Sequence, residues 1–432
     1  MHDLLENKKL LLMIAGGIVV IFIVLLIVII SILRGAGPVT LTYWGLWEPE
    51  SVYSGVIADY KRIHPNVTIK YAKQSPINYR DRVVAAVSKE NGPDIFKIHN
   101  SWLPTMKNSL SSVPSSVYSA VSFKSTFYPV AVSDLTVSGV PYAVPLEIDT
   151  LALYVNEDIF RRGNAGIPTV WDGTGSFREV AKRLTVRDVN GRITASGAAL
   201  GTVGNTDHWQ DIVSLMMIQS GVNINQESNS QQAAQALSFY TSFAKGSERT
   251  WDETMDGSTL AFASGKVAMY IGPSWRYFDF KAMNPDLNFK VAPIPQLQSQ
   301  SQTLNYATYW AEAVSAKSKN QKAAWEFVKY LSSKEVMTKL YTAQSKIRTF
   351  GQPYSRVDMS GLLTSDPNVG PFISGAPTAK SSFLASFTGD GETGINSKVS
   401  KYYLDAINSV LKGTDIKTAL ETVSKGMSQL IK

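Results

Sequence analysis

The chain has 432 residues, 44% of them hydrophobic and 18% charged, and 42 basic against 35 acidic side chains leave a net charge of +7. It contains no cysteine, which excludes a disulfide framework, a thiol nucleophile, cysteine-zinc sites and a lipid carried on an N-terminal cysteine. The basic residues are scattered, with no run of five and no nucleic-acid motif, so the charge speaks for solubility or for an anionic cell surface and against nucleic-acid binding.

The first element is the uncharged run LLLMIAGGIVVIFIVLLIVIISIL at residues 10–33. It exceeds the ~20 residues with which a helix crosses a bilayer. Lys8 and Lys9 precede it and only Arg34 comes after, so residues 1–9 are expected in the cytoplasm and everything beyond a linker at 34–38 outside the cell. A cleaved signal peptide would have a shorter apolar region and a small-residue cut site, for which Ser31–Ala36 is a poor match. The run is therefore read as a signal-anchor, which makes the protein single-pass, with its C-terminal part extracytoplasmic. The stretch beyond residue 37 is too long for one ordinary core and suits two lobes.

Val39, Leu41 and Tyr43 alternate as a strand, and Val52, Val56, Tyr60 and Ile63 recur at helical spacing until His64-Pro65. A second strand at Val67, Ile69 and Tyr71, a helix over Tyr79–Lys89 and a third strand over Asp94–Ile98 complete a βαβαβ unit with parallel strands. Ligands of open parallel sheets bind beyond the carboxyl ends of the strands. Trp44-Gly45-Leu46-Trp47-Glu48 and His99-Asn100-Ser101-Trp102 are thereby placed on one edge. The segment VPYAVPLEIDTLALYV at 140–155 reads as an extended passage between lobes, with Glu147, Asp149 and Thr150 in a cleft. Pro168–Asp172 opens a helix running to about Leu184, and Asp188–Gly191 makes a β-turn rather than a calcium loop, whose further ligands are missing. Gln231–Lys245 reads as a helix and Phe262–Ile271 as a turn entering a buried strand. Asn320 caps a helix with Ala324, Phe327, Val328 and Leu331 inward, and Ser332 with Glu335 forms a capping box for the next. Asp358–Asn396 wraps the surface as loops and short helices, and a final amphipathic helix carries Ile416, Ala419, Leu420, Val423, Met427 and Leu430.

In this order the segments VTLTYWGLWEPES, NGPDIFKIHNSWL, VSGVPYAVPLEIDTLALYVNEDIF, IPTVWDGTGSFREVAKRLT, LAFASGKVAMYIGPSW, VAPIP and WAEAVSAKSKNQKAAWEFVKYLSSKEVM resemble those of family 1 extracellular solute-binding proteins of ABC importers. The resemblance runs over about residues 39–432. It implies an α/β fold, bilobed, of the type II periplasmic-binding-protein kind, preceded here by one N-terminal transmembrane helix. One lobe would comprise 39–149 and 313–350 and the other 150–306 and 356–432, with crossovers near 147–153, 291–313 and 350–356. It further implies hinge closure on a solute, usually a carbohydrate, and delivery to ABC permease subunits by a protein whose soluble part is monomeric. Secreted members of one-membrane bacteria commonly carry a lipid-modified cysteine, and this chain departs from them by having none.

Sugar recognition needs flat aromatic faces against the apolar side of a pyranose and planar polar groups around its hydroxyl rim. Five of the nine tryptophans, Trp47, Trp102, Trp209, Trp275 and Trp310, fall in loops or at strand ends beside polar residues, whereas Trp171 and Trp325 are assigned to helices and to the core. Glu48, Asn100, Asp149, Asn205, Asp207 and Arg276 are the expected polar partners, and Tyr309 joins Trp310 in the second crossover. Arg276 and the basic balance leave room for an acidic or phosphorylated saccharide. No metal ligand set, cofactor motif or catalytic residue is expected, and His99 is assigned a structural hydrogen bond. The competing readings are the same fold holding a peptide, polyamine, anion or metal, a sensory receptor, and an extracellular glycan-active enzyme using a pair among Glu48, Glu147, Asp149 and Asp207.

Overall fold

The computed structural model describes residues 37–247, 249–298 and 302–430. The apolar run at 10–33 lies outside them, and among the described residues no helix is long and apolar enough to cross a membrane. The strands of the two main sheets, in chain order, are β1 (Val39–Gly45), β2 (Val67–Lys73), β3 (Ile95–His99), β4 (Ala143–Pro145), β5 (Ala152–Asn156), β6 (Val186–Arg187), β7 (Ile193–Ala198), β8 (Val267–Gly272), β9 (Phe289–Ala292) and β10 (Trp310–Val314). The first sheet runs β2-β1-β3-β10-β4 and the second β9-β5-β8-β7-β6. The molecule is bilobed.

The βαβαβ unit forms as its pattern demands. β1 pairs in parallel with β2 and with β3, setting Tyr43 beside Tyr71 and Ile95. Between β1 and β2 the helix Glu50–Ile63 turns Val52, Tyr53, Val56 and Tyr60 inward, with Glu50 in its first turn and Lys61 and Arg62 in its last to complement the helix dipole. The first sheet is completed from far along the chain: β10 inserts antiparallel between β3 and β4. In the second sheet β8 is parallel to β7 and antiparallel to β5, which also pairs antiparallel with β9.

Three local expectations shift. Trp171 is buried, as core packing requires, but precedes its helix; that helix is Phe177–Leu184, capped by Ser176, whose hydroxyl accepts from the Glu179 amide at 3.2 Å. Asn320 occupies the cap position of helix Gln321–Leu331 without a side-chain hydrogen bond there, and its backbone N–H donates to the Ser318 hydroxyl at 3.1 Å. The next cap is Ser333, not Ser332, because the Ser332 hydroxyl bonds to Tyr118 at 2.9 Å and to the Lys329 carbonyl at 3.1 Å. The last two helices, Ile395–Leu411 and Ile416–Leu430, pack on each other, and Ala419, Leu420, Val423 and Met427 are buried.

Two apolar clusters form the core. One spans the first sheet and continues beneath the second through Ala152, Tyr154, Val267 and Tyr270; the other takes the opposite face of the second sheet, with Leu153, Val155, Met269 and Ile271. Alternation along β5, and over Met269–Ile271 of β8, assigns successive residues to the two clusters.

Candidate functional site

A cavity of about 410 Å³ lies beyond the carboxyl ends of β1 and β8. Its floor is made where the chain passes between the sheets: residues 146–151, 306–309 and 352–355 run side by side. The Thr308 amide donates to the Asp149 carbonyl at 3.0 Å, that of Leu151 to Tyr306 at 3.3 Å, and that of Ile148 to Pro353 at 3.0 Å. Each passage lends side chains to the cavity, among them Glu147 and Asp149, Thr308 and Tyr309, and Gln352.

One wall belongs to the first sheet. Trp47, 36% exposed, meets Trp310 edge to face with ring centres 5.7 Å apart. Two residues further along the same pair of strands, where Glu312 faces Lys97, is a buried ion cluster. Lys97 Nζ lies 3.0 Å from Glu312 Oε1 and 3.4 Å from Glu147 Oε1. Burial alone would lower the lysine pKa, but the two carboxylates hold it well above its usual value. Burial pushes Glu147 up despite Lys97. Beside this cluster Glu48 binds Arg348 Nη2 at 2.8 Å and accepts from Gln344 at 3.1 Å. Arg348 lines the cavity and lies over Phe278, 5.1 Å from its ring centre.

The other wall belongs to the second sheet. Gly272 ends β8, and a Cβ there would meet the Tyr270 ring at 2.7 Å and crowd Arg276 and His208 at 3.4 and 3.5 Å. Asp149 accepts from the Ser274 amide at 3.0 and 3.1 Å and from its hydroxyl at 2.7 Å, yet burial pushes its pKa up to about 7. His208 sits in the left-handed region at φ 58°. Its Nε2 accepts from Arg276 Nε at 2.8 Å, which leaves the Nδ1 proton for Ser386 at 2.8 Å and Asp211 at 3.2 Å. Burial lowers its pKa, keeping the ring neutral. The Arg276 guanidinium lies against both Trp275 and Phe387, 4.3 and 4.9 Å from their ring centres, where the two rings meet edge to face 5.2 Å apart, and it binds Asp279 at 2.9 Å. Phe387, 54% exposed, holds φ 52°, a strained backbone for a bulky residue.

Of the expected site residues the cavity gathers Trp47, Asp149, Trp275, Tyr309 and Trp310. The others are spent elsewhere. Glu48 is buried against Arg348. Asn100 donates to Asp134 at 2.9 Å and accepts from the Tyr309 amide at 3.3 Å, behind the floor. Trp102 is fully buried, between Tyr79 and Trp310, because the chain turns into a short helix as soon as β3 ends. Asn205 ties its own loop to Asp252, Met255 and Trp251. Asp207 binds the Thr259 amide and hydroxyl, capping the start of another helix. Trp209 begins helix Trp209–Gln219 and packs into the second core cluster. Arg276 backs Trp275 rather than lining the cavity, which removes the cation on which an acidic saccharide was expected to rest. Glu48 and Asp207 are likewise off the cavity, so of the four carboxylates considered for catalysis only Glu147 and Asp149 line it. His99 has hydroxyl partners at both nitrogens, Ser101 at 2.7 Å and Thr308 at 3.0 Å, and burial lowers its pKa to about 3.

Among the residues not foreseen are His208, Asp211, Ser274, Phe278, Asp279, Thr308, Arg348, Gln352, Ser386 and Phe387. His208 lies between two residues that were expected, and its left-handed backbone turns it inward while Asp207 and Trp209 face helices. The His208–Asp211 spacing and an aromatic alone in the polar loop Ser386–Gly394 were the available signals.

Two α/β lobes enclosing an aromatic cavity at their chain crossovers define a solute receptor. A family model described as bacterial extracellular solute-binding protein matches residues 55–351, and the chain belongs to that family. Among solved structures it is similar to a cyclo/maltodextrin-binding protein complexed with maltotetraose (TM-score 0.73, 18% identity, 92% of this chain and 98% of that one). It is also similar to the sugar-binding protein MalE of Xanthomonas citri (TM-score 0.72, 17% identity, 91% and 97%). A third similar structure is the GacH receptor of Streptomyces glaucescens, described unliganded and with acarbose (TM-score 0.69, 21% identity, 92% and 99%).

Proposed function

We propose that this solute-binding protein captures a sugar or oligosaccharide between its lobes and hands it to the permease subunits of an ABC importer, without transforming it. The observation that carries the reading is the cavity itself, where Trp47, Trp310, Trp275 and Phe387 offer aromatic faces on two sides and Asp149, Asp279, Arg348 and Gln352 offer polar groups between them. Its size falls in the range of small-molecule sites. The sugars named for the similar structures, maltotetraose and acarbose among them, support the same class.

The lobes in this reading are about 39–149 with 313–350 and 150–306 with 356–432, hinged at the three passages that form the floor. Closure is favoured by whatever free energy the solute gains from touching both lobes at once. The walls already meet at Arg80, which binds Asp390 at 3.0 Å, and at Ser101, whose hydroxyl donates to Asn396 at 3.0 Å. The uncharged run at 10–33, with Lys8 and Lys9 before it, supports a helical membrane anchor and an extracytoplasmic receptor.

Thermal unfolding of the full chain in detergent against mono- and oligosaccharides, sugar acids, peptides and polyamines tests this. A bound sugar at 100 times its Kd adds about 2.7 kcal/mol and raises the midpoint selectively. A shift with peptides or polyamines alone overturns the sugar assignment.

A further inference from the structure

Resting on the saccharide reading, we infer that the solute carries a protonated amine, as an amino sugar or aminosaccharide does, and gives its N–H donors to Glu147 and Asp149 at the cavity floor. The two residues are two apart in an extended segment, so both side chains fall on one face. Glu147 is 93% buried by its side-chain exposure of 7%, and its Oε2 has no hydrogen-bond partner. Its other oxygen shares one ammonium, that of Lys97, with Glu312. Asp149 receives hydrogen bonds from Ser274 and forms no ion pair among the described residues.

The basic groups nearby are already taken. Arg348 is the basic side chain lining the cavity, with Nη2 on Glu48 at 2.8 Å and Nε on the Phe350 carbonyl at 3.0 Å. Arg276 gives its guanidinium to His208 and Asp279 from behind Trp275. The floor thus holds a surplus of carboxylate in a dry, aromatic surround. Hydroxyl donors satisfy lone pairs but bring no charge, whereas a buried carboxylate is costly unless it keeps a proton or an opposite charge answers it. An ammonium supplies that charge, and tryptophan and phenylalanine faces stabilise a cation further.

The test is isothermal titration of the full chain in detergent with matched sugars that differ at one substituent. Glucosamine, glucose and N-acetylglucosamine form one set; the β-1,4 dimers of glucosamine, glucose and N-acetylglucosamine form the other. The amine member should bind at least tenfold tighter than its hydroxyl and acetamide counterparts. Asp149→Asn should lower the ratio of amine to hydroxyl affinity at least tenfold, and Glu147→Gln should lower it less, whatever either does to the affinity for the hydroxyl sugar. Equal or tighter binding of the hydroxyl or acetamide member to the wild-type protein overturns the amine and leaves the saccharide reading standing. Binding of spermidine or choline but of none of the sugars overturns both, and so does silence throughout.

Discussion

The two walls of the cavity each present a tryptophan and are backed by opposite means. Trp310 packs on Trp47, Tyr79, His99 and Trp102, and the same wall holds buried charges, with Lys97 between Glu147 and Glu312 and Arg348 on Glu48. Trp275 rests on a neutral imidazole and on an arginine that also lies against Phe387, the two joined by a hydrogen bond. Charges in a dry interior cannot exchange partners without a large cost, whereas a hydroxyl-imidazole chain beside an exposed, strained Phe387 can. The first wall is accordingly the fixed jaw and the second the adjustable one.

The largest effect that would break this contrast is on Lys97. Lys97→Ala leaves two buried carboxylates without their cation and should cost about 3–5 kcal/mol in urea unfolding. A loss below about 1 kcal/mol would mean that the charges do not fix that wall. On the other side, Trp275→Ala should weaken sugar binding by roughly 30-fold, about 2 kcal/mol, with little change in the unliganded melting temperature. A comparable loss of stability would make Trp275 a core residue instead.

Asp149 sharpens the contrast through pH. Its native pKa of about 7, against about 3.9 unfolded, means the native state keeps a proton that the unfolded state has lost, so its contribution is greatest below pH ~4 and fades as pH rises to ~7. The unfolding free energy of wild type relative to Asp149→Asn should therefore grow by about 2 kcal/mol from pH 7.5 to 5.5. The variant comparison matters because buried neutral His99 and His208 pull total stability the other way below pH ~6.5. A pH-independent difference would show that Asp149 ionises normally. The smallest effect is at Phe387. Phe387→Gly relieves the left-handed strain and should raise unliganded stability by up to about 1 kcal/mol while weakening binding. Unchanged affinity would remove Phe387 from the binding wall.

Much of the fold could be read from short-range patterns. β1 to β3 and their helices arise from alternating and helical apolar spacing broken by His64-Pro65 and Gly92-Pro93, and the fully buried β8 arises from an apolar run after a glycine turn. The floor was legible too, because Glu147 and Asp149 are carboxylates inside an apolar extended segment. The second wall was less so. Its backing joins residue 208 to 276 and 386, and nothing local marks such a junction. The misassigned tryptophans show the same limit: Trp102 and Trp209 have polar neighbours in the chain, but their backbones turn into helices that carry the indoles into the core. Strand ends point toward ligands only until the next turn begins.

The insertion of β10 between β3 and β4 also sets a timetable for synthesis. Its last residue, Val314, comes after the end of β3 at His99 by more than 200 residues. At ~5–20 residues per second a ribosome needs some ~10–40 s to make that stretch. Through that interval β3, buried along its whole length in the finished sheet, has an open edge with no permanent neighbour, and the nascent first sheet stays receptive to wrong strands. A factor that shields that edge during those seconds would raise the yield of folded protein without changing the stability of the finished sheet.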